Sequence, residues 1–151
     1  MRTVFIIFSI CLLALTACAP ITSASGITVD QAVVRLPGGV MPPMNTNSSL
    51  VGYLHIKNSG ASDDNLIGVQ GSFARTAMLD KSSVNSNGVA KMGMVRAIKI
   101  PSGQTVELKP GDVHIMFTDL SHELKPGIVV TLVLQFEKAG FMNVQAQVTN
   151  Q

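Results

Sequence analysis

The chain has 151 residues, 46% of them hydrophobic, and a formal net charge of +2 from 11 basic and 9 acidic side chains. This length suits one domain with a single core rather than several domains. Such a small net charge, with no basic stripe along the sequence, excludes nucleic acid as an expected partner.

The first 17 residues have the pattern of a secretory signal peptide. Arg2 supplies a positive start, and residues 4–15 are almost wholly apolar. A membrane span needs about 20 apolar residues, so this run is short for a span but suits the apolar region of a signal. Residues 1–17 are therefore predicted to be removed on export.

Cys18 stands where the signal of a bacterial lipoprotein would be cut. Residues 15–18 read Leu-Thr-Ala-Cys, which is an apolar residue, two small residues and a cysteine. Acylation on both sulfur and amine would anchor the chain stably, since one acyl chain binds a membrane only reversibly. The alternative is an ordinary secreted protein cut near Ala19 or Ala24. In a Gram-negative cell, Ala19 after the cysteine favours the outer membrane over the inner one.

Cysteine and methionine usage limits the metal chemistry of the mature chain. Cys11 belongs to the signal, so Cys18 is the single mature cysteine, and neither a disulfide nor a thiolate metal site is expected. Methionine is frequent by contrast, and thioethers either fill cores or bind soft metals such as Cu(I). The mature methionines are Met41, Met44, Met78, Met92, Met94, Met116 and Met142.

Short runs of strand composition follow a small, polar tether at residues 18–26, and Pro, Gly and Asn turns separate them. The predicted strands are 27–36, 50–57, 65–69, 75–81, 89–98, 104–108, 113–118, 128–137 and 141–149. About nine strands with no convincing helix predict an all-β domain of two packed sheets, a β-sandwich or a Greek-key barrel.

The sequence offers no enzyme motif. Its histidines, His55, His114 and His122, form no HExxH pair, and there is no nucleophile elbow, phosphate-binding loop or catalytic cysteine. The adjacent carboxylates Asp63 and Asp64 lie in a turn and are interpreted as solvated loop residues. The chain is therefore not expected to be an enzyme.

The segment 113–117 carries the strongest sign of a binding site. Residues two apart in a strand point to the same face, so His114 and Met116 are predicted to project together while Val113, Ile115 and Phe117 face the core. An imidazole beside a thioether is half of a soft-metal site. Alone the pair is weak evidence, because it arises often by chance.

Met92 lies 22 positions before His114, which gives the spacing Met-x21-His-x-Met. In this motif the chain resembles the PCu(A)C-type periplasmic copper chaperones, and the resemblance extends over roughly residues 27–148. Other matching segments are 52–60, 88–92, 98–111 and 136–140.

The resemblance implies a cupredoxin-like or immunoglobulin-like Greek-key β-sandwich of about 8–9 strands over residues 27–151. It also implies an exposed Cu(I) site with Met92, His114 and Met116 as ligands. Members of the family pass the ion to a partner, chiefly the copper centre of cytochrome oxidase, and another copper-accepting envelope protein is the other expected partner. Cu(I) is soft and accepts thioether ligands, so the ion suits this set.

The sequence departs from the family pattern at its first ligand, because Asp80 stands where the family has a histidine. Three outcomes are open. In the first, copper rests on three ligands, Met92, His114 and Met116. In the second, Met78 is a fourth ligand from the strand face that it shares with Asp80. In the third, copper binding is lost and Asp80 is a solvated charge at a strand end. The last outcome supports the alternative function, a metal-free structural or protein-interaction module on the same fold.

The remaining candidate ligands receive structural interpretations. His55 is expected to be a core-edge or cross-strand residue, and His122 a solvated turn residue. Met94 shares a strand face with Met92 and is interpreted as packing rather than a spare ligand. Met41 and Met44 lie in a loop that could cover a copper site or touch the core.

Overall fold

The structure, a computed structural model, describes three ranges of the chain. These are residues 26–36, 49–84 and 88–150. The predicted signal segment, Cys18, nearly all of the tether, Met41 and Met44 lie outside the described residues. Within the described ranges, no helix is long and apolar enough to span a membrane.

The regular elements of the described residues are all strands, which confirms the all-β prediction. Ten strands form where nine were predicted, because one predicted run divides in two. The strands are β1 Ile27–Arg35, β2 Leu50–Asn58, β3 Asp64–Gly71, β4 Ala74–Val84, β5 Ala90–Met94, β6 Ile98–Ile100, β7 Thr105–Leu108, β8 Val113–Leu120, β9 Val129–Phe136 and β10 Gly140–Thr149.

Hydrogen bonding links the strands in the order β5-β4-β8-β2-β1-β10-β9-β3-β6, and β7 pairs with β2 off this path. β1 pairs in parallel with β10, whereas the other described pairs are antiparallel. The sheet folds over on itself, so that β3 packs beside β4 as well as pairing with β9 and β6. This arrangement places β5 at one end of the path and β6 at the other.

The prediction of one strand over residues 89–98 is wrong. Residues 95–97 separate β5, which pairs with β4, from β6, which pairs with β3 at the opposite end of the path. Burial explains the division, since Met94 of β5 is 72% exposed while Ile98 and Ile100 of β6 are buried. The backbone N–H of Val95, directly after the end of β5, donates to the carbonyl of Leu79 in β4 at 2.8 Å.

The core forms from the inward side chains of facing strands, in the period-two pattern of half-buried strands. Leu54 and Ile56 of β2 and Ile115 and Phe117 of β8 are almost completely buried. Each such side chain contributes about 1.5–3 kcal/mol by leaving water. At Gly52 of β2, an added Cβ would lie 3.0 Å from the Phe117 ring, so glycine allows β2 and β8 to pack closely where the outer face carries the candidate site.

Asp64 is a structural carboxylate, so its interpretation as a solvated loop residue is wrong. It is 4% exposed, and its Oδ1 accepts hydrogen bonds from the backbone N–H groups of Asn65 and Lys138 at 2.7 and 2.9 Å. Its Oδ2 accepts from the N–H of Ala139 at 3.0 Å. Asp64 therefore ties the start of β3 to the turn between β9 and β10.

We expect Asp64→Ala to lower the free energy of unfolding by about 3 kcal/mol, because three backbone N–H groups lose a charged acceptor. Urea denaturation measures the loss. Asp63→Ala is the matched control, because Asp63 is half exposed and pairs with Lys99 at 2.8 Å on the surface. Equal losses in both variants would show that Asp64 has no special role.

The stabilisation by the surface pair of Asp63 and Lys99 depends on pH, and the lowered pKa of Asp63 gives the sign. The hydrogen bonds from Lys99 and from the backbone N–H of Ser102 hold the pKa of Asp63 below its usual value. The stabilisation is therefore present at a pH above the usual carboxyl pKa. It is lost as the pH falls through the lowered pKa of Asp63 in the folded chain.

Candidate metal centre

The outer face of β8, β4 and β5 brings together the side chains singled out in the sequence. Residues directly opposite each other on antiparallel strands point to the same face. The opposite pairs are His114 with Asp80, Met116 with Met78, Asp80 with Met94, and Ser82 with Met92. One face therefore carries an imidazole, a carboxylate and four thioethers, and we name it the soft-ligand face, formed by Met78, Asp80, Met92, Met94, His114 and Met116.

The alternation predicted for β8 holds at its centre. Ile115 and Phe117 are fully buried in the core, and Met116 between them is half-buried on the opposite face. Val113 is less buried than predicted. His114 is on the soft-ligand face but is only 4% exposed, which the alternation alone does not predict.

Tyr53 of β2 accounts for part of this burial. Its ring lies 6.5 Å from the His114 ring, centroid to centroid, at a tilt of 52°. The guanidinium of Arg35 lies over the Tyr53 ring at 5.0 Å. The imidazole is thus held at one side of the soft-ligand face by an aromatic neighbour that is itself fixed by a cation–π contact.

The hydrogen bond of His114 fixes its tautomer. Nδ1 lies 2.9 Å from the backbone carbonyl of Asp112. A carbonyl can only accept, so Nδ1 carries a proton, and in the neutral ring Nε2 then has the lone pair. Metal-binding histidines are usually oriented in this way, with the other ring nitrogen donating to a carbonyl or carboxylate. The His114 ring is therefore prepared to bind a metal through Nε2.

Asp80 is the buried charge of the soft-ligand face. It is 6% exposed, lies well inside β4, and forms no hydrogen bond or ion pair within the described residues. The idea that Asp80 stands at a strand end is therefore wrong. Its carboxylate oxygens are not among the fully buried polar atoms that lack a partner in the described residues, so they remain open to solvent and to a cation on this face.

The thioethers of the face differ in exposure. Met78 and Met116 are half-buried, while Met92 and Met94 are 55% and 72% exposed. The interpretation of Met94 as a packing residue is therefore wrong, since most of its side chain meets solvent. Exposed and half-buried thioethers together form a surface that an incoming soft ion can reach.

The other histidines lie away from this face. His55 of β2 is opposite Asp30 of β1 and 3.5 Å from its carboxylate, as expected for a cross-strand residue. His122 is exposed after β8 and lies 3.1 Å from the hydroxyl of Ser121, as expected for a turn. Among the described residues, no group of three or more His, Cys, Asp or Glu could hold a metal ion.

Sequence reasoning missed the neighbours that arise from strand pairing. Tyr53, the Asp112 carbonyl and the position of Met94 beside Asp80 each depend on which strands lie next to one another. The spacing of residues along the chain contains no signal for Tyr53 or for the Asp112 carbonyl. For Met94, its two-residue spacing from Met92 predicts a shared face but not which of the two is closer to His114.

Comparison with known proteins gives consistent matches over nearly the whole described domain. The family described as "Putative lipoprotein LpqE-like" matches residues 27–148. The "Putative lipoprotein Lxx21020" of Leifsonia xyli subsp. xyli (strain CTCB07) is 30% identical over 135 residues, which cover 83% of this chain and 76% of that protein.

Two solved structures are similar in fold. The solution structure of CuI-DR1885 from Deinococcus radiodurans is 27% identical, covers 89% of this chain and 83% of its own, and has a TM-score of 0.58. The copper-bound PCuAC domain from PmoF2 is 24% identical, covers 83% of this chain and 94% of its own, and has a TM-score of 0.65. These likenesses confirm the predicted resemblance and its β-sandwich fold.

Proposed function

The chain belongs to the LpqE-like family, and we propose on that premise that it is a cell-envelope copper chaperone. It binds Cu(I) on the soft-ligand face and delivers the ion to a partner protein. The observation that carries the proposal is the grouping of His114, with Nε2 facing no hydrogen-bond partner among the described residues, beside thioethers and the carboxylate of Asp80.

The proposed ligands include those implied by the family resemblance, Met92, His114 and Met116. Met78 is opposite Met116 in the neighbouring strand, so it supplies an adjacent thioether. Asp80 is opposite His114 and supplies the negative charge that balances Cu(I). A carboxylate is a harder ligand than imidazole, so its contribution here is charge in a buried position more than soft bonding.

Delivery requires an ion that is held on ligands able to exchange. Thioethers and imidazole are neutral, and the soft-ligand face lies toward the β5 end of the strand path, with two well-exposed methionines. A partner can therefore add its own ligands while the ion is still bound. We propose the copper centre of cytochrome oxidase, or another copper-accepting envelope protein, as the acceptor. The similarity to the Cu(I) form of DR1885 supports the Cu(I)-binding part of this role.

The purified chain tests this function in a competition titration with bicinchoninate, a Cu(I) chelator, under reducing conditions. The expected result is stoichiometric binding of one Cu(I) ion per chain. No binding would contradict the chaperone function and favour the metal-free interaction module.

We further propose that Cys18 anchors the chain to the envelope through lipid, with the outer membrane as the site in a Gram-negative cell. The descriptions of the family and of the Leifsonia relative as lipoproteins support the anchor. The lipid would keep the copper-binding domain near acceptors at one membrane surface.

Cells grown with a palmitate analogue are expected to label the chain, and Cys18→Ala is expected to abolish the label, because the acylated sulfur is removed. Gel fluorescence of the purified chain measures the incorporation. Cys11→Ala is the control, since that residue lies in the segment removed on export. Label that survives in Cys18→Ala would rule out this anchor.

A further inference from the structure

We propose that a groove beside the soft-ligand face is the docking site for an acidic side chain of the copper acceptor, whose carboxylate binds the guanidinium of Arg35. This inference rests on the proposed function. The groove has a volume of about 380 Å³ and lies on the outer face of β1, β2 and β10, beside the turn that follows β7. Its polar lining comes from Gln31, Arg35, Tyr53, His55, Lys109 and Gln147.

Arg35 has hydrogen-bond donors that the groove leaves unused. A guanidinium carries several N–H donors and no acceptor. Within the described residues it lies over the Tyr53 ring at 5.0 Å but forms no hydrogen bond or ion pair. Its Nε is fully buried without a partner, whereas its terminal nitrogens are not among such atoms and are open to a ligand. Buried donors without a partner are rare, so Arg35 indicates an acceptor that the described part of the chain does not supply.

The charges around the groove favour one singly charged anion. Lys109 pairs with Glu107 at 3.4 Å, and His55 pairs with Asp30 at 3.5 Å, so each of these basic groups has its own carboxylate. None of the residues that line the groove is acidic, so the charge of Arg35 is left unbalanced. A guanidinium binds the two oxygens of a carboxylate through two parallel N–H groups. One carboxylate therefore balances this groove, whereas a doubly charged phosphate would need a second free cation.

The strand register makes the groove continuous with the soft-ligand face. Arg35 is opposite Val51 of β2, and Val51 is opposite Met116 of β8, so the three residues lie in one row across three strands. Strands are about 4.8 Å apart, which places the Cα atoms of Arg35 and Met116 about 10 Å from each other. A typical protein interface covers about 800 Å² on each partner. An acceptor that meets the soft-ligand face therefore also covers Arg35.

Tyr53 fixes the two sites relative to each other. Its ring contacts the Arg35 guanidinium and also lies 6.5 Å from the His114 ring, centroid to centroid. A carboxylate bound at Arg35 is thus at a set position relative to the imidazole. A charge pair at the edge of an interface orients and steers a partner more than it adds affinity. The groove therefore sets the orientation in which the acceptor approaches the copper ion.

The probe is a short peptide with two methionines, which bind copper, followed by four glutamates. A matched peptide has four glutamines in place of the glutamates. Titration of the copper-free, isotope-labelled full chain, followed by NMR, measures docking of each peptide. Titration of the Cu(I)-loaded chain measures how much copper each peptide removes. Inorganic phosphate, titrated alone, tests whether the groove is instead a site for a free ion.

Two variants of the full chain change the charge of the groove. Arg35→Gln removes the guanidinium, and Gln147→Glu places a carboxylate in the groove. Gln147 is exposed and lies opposite Val33 of β1, so the fold should tolerate glutamate even if Arg35→Gln does not fold. Gln145→Glu is the matched control, because Gln145 is exposed on the same face of β10 but does not line the groove. Thermal unfolding checks each variant.

We expect the glutamate peptide to shift the NMR signals of Arg35 Nε–H and the Tyr53 amide. It should bind about fivefold more tightly than the glutamine peptide, equivalent to about 1 kcal/mol, and remove copper at a correspondingly lower concentration. Arg35→Gln and Gln147→Glu should abolish both differences, and Gln145→Glu should keep them.

Equal binding of the two peptides to the wild-type chain would overturn the inference, as would a preference for glutamate that survives in Gln147→Glu. Phosphate that shifts the same signals at a lower concentration than the glutamate peptide would also overturn it. Failure of the wild-type chain to bind Cu(I) is a separate result, which overturns the proposed function while the copper-free titration still tests the groove.

Discussion

His114→Asn is expected to lower the affinity for Cu(I) by about a hundredfold, equivalent to about 2.8 kcal/mol. The histidine supplies the nitrogen ligand of the soft-ligand face, and its Nδ1 bond to the Asp112 carbonyl leaves Nε2 for the ion. Asparagine can keep a donor to that carbonyl while removing the metal-binding nitrogen. The substitution therefore separates the loss of a ligand from the loss of the hydrogen bond.

Bicinchoninate competition under reducing conditions gives the affinity, and circular dichroism confirms that the variant is folded. His122→Asn is the matched control, because His122 is exposed after β8 and away from the soft-ligand face. The control should bind copper as the wild-type chain does. Wild-type affinity in His114→Asn would mean that copper is held elsewhere.

Asp80→Asn is expected to weaken copper binding while keeping the fold, because asparagine is close to aspartate in size and shape. Removing a negative charge beside the ion should weaken Cu(I) binding roughly thirtyfold, about 2 kcal/mol at an intermediate dielectric.

Chelator competition measures the affinity, and urea denaturation on the same preparation checks that the fold is kept. Asp30→Asn is the control, because Asp30 has a side chain that is 69% exposed and lies at the far strand β1. An unchanged Cu(I) affinity in Asp80→Asn would show that the carboxylate has no part in copper binding.

Asp80→His restores the residue type that the family resemblance implies for the first ligand. The position is directly opposite His114, so a second imidazole would project onto the same face. We expect Cu(I) binding to tighten by about tenfold relative to the wild-type chain. No tightening in the same titration would indicate that the fourth ligand position has moved elsewhere.

Much of the fold could be predicted from local sequence. Period-two alternation and Pro/Gly turns were sufficient to predict the strands β1, β8, β9 and β10, because each has one face in the core and one in solvent. The run 89–98 was assigned as one strand because its composition is continuous. Its division into β5 and β6 depends on pairing with strands distant in sequence, which composition does not encode.

The candidate site could be predicted only in part, because residue spacing indicates a shared strand face but not which strands are neighbours. The two-residue spacing of His114 and Met116 predicted a shared face, and the resemblance added Met92. The carboxylate of Asp80 was recognised as a departure, but its burial between His114 and Met94 depends on the register of three strands. The carboxylate of Asp64 was misread for a similar reason, since its partners come from a turn far along the chain.

We propose that this domain holds Cu(I) mainly on methionine sulfur, beside one imidazole. X-ray absorption at the copper K edge of the Cu(I)-loaded chain distinguishes sulfur ligands from nitrogen and oxygen ligands. We expect the nearest shell to be mainly sulfur at about 2.3 Å, with a smaller nitrogen or oxygen contribution that falls in His114→Asn. A nearest shell of nitrogen and oxygen alone would show that methionine does not hold the ion.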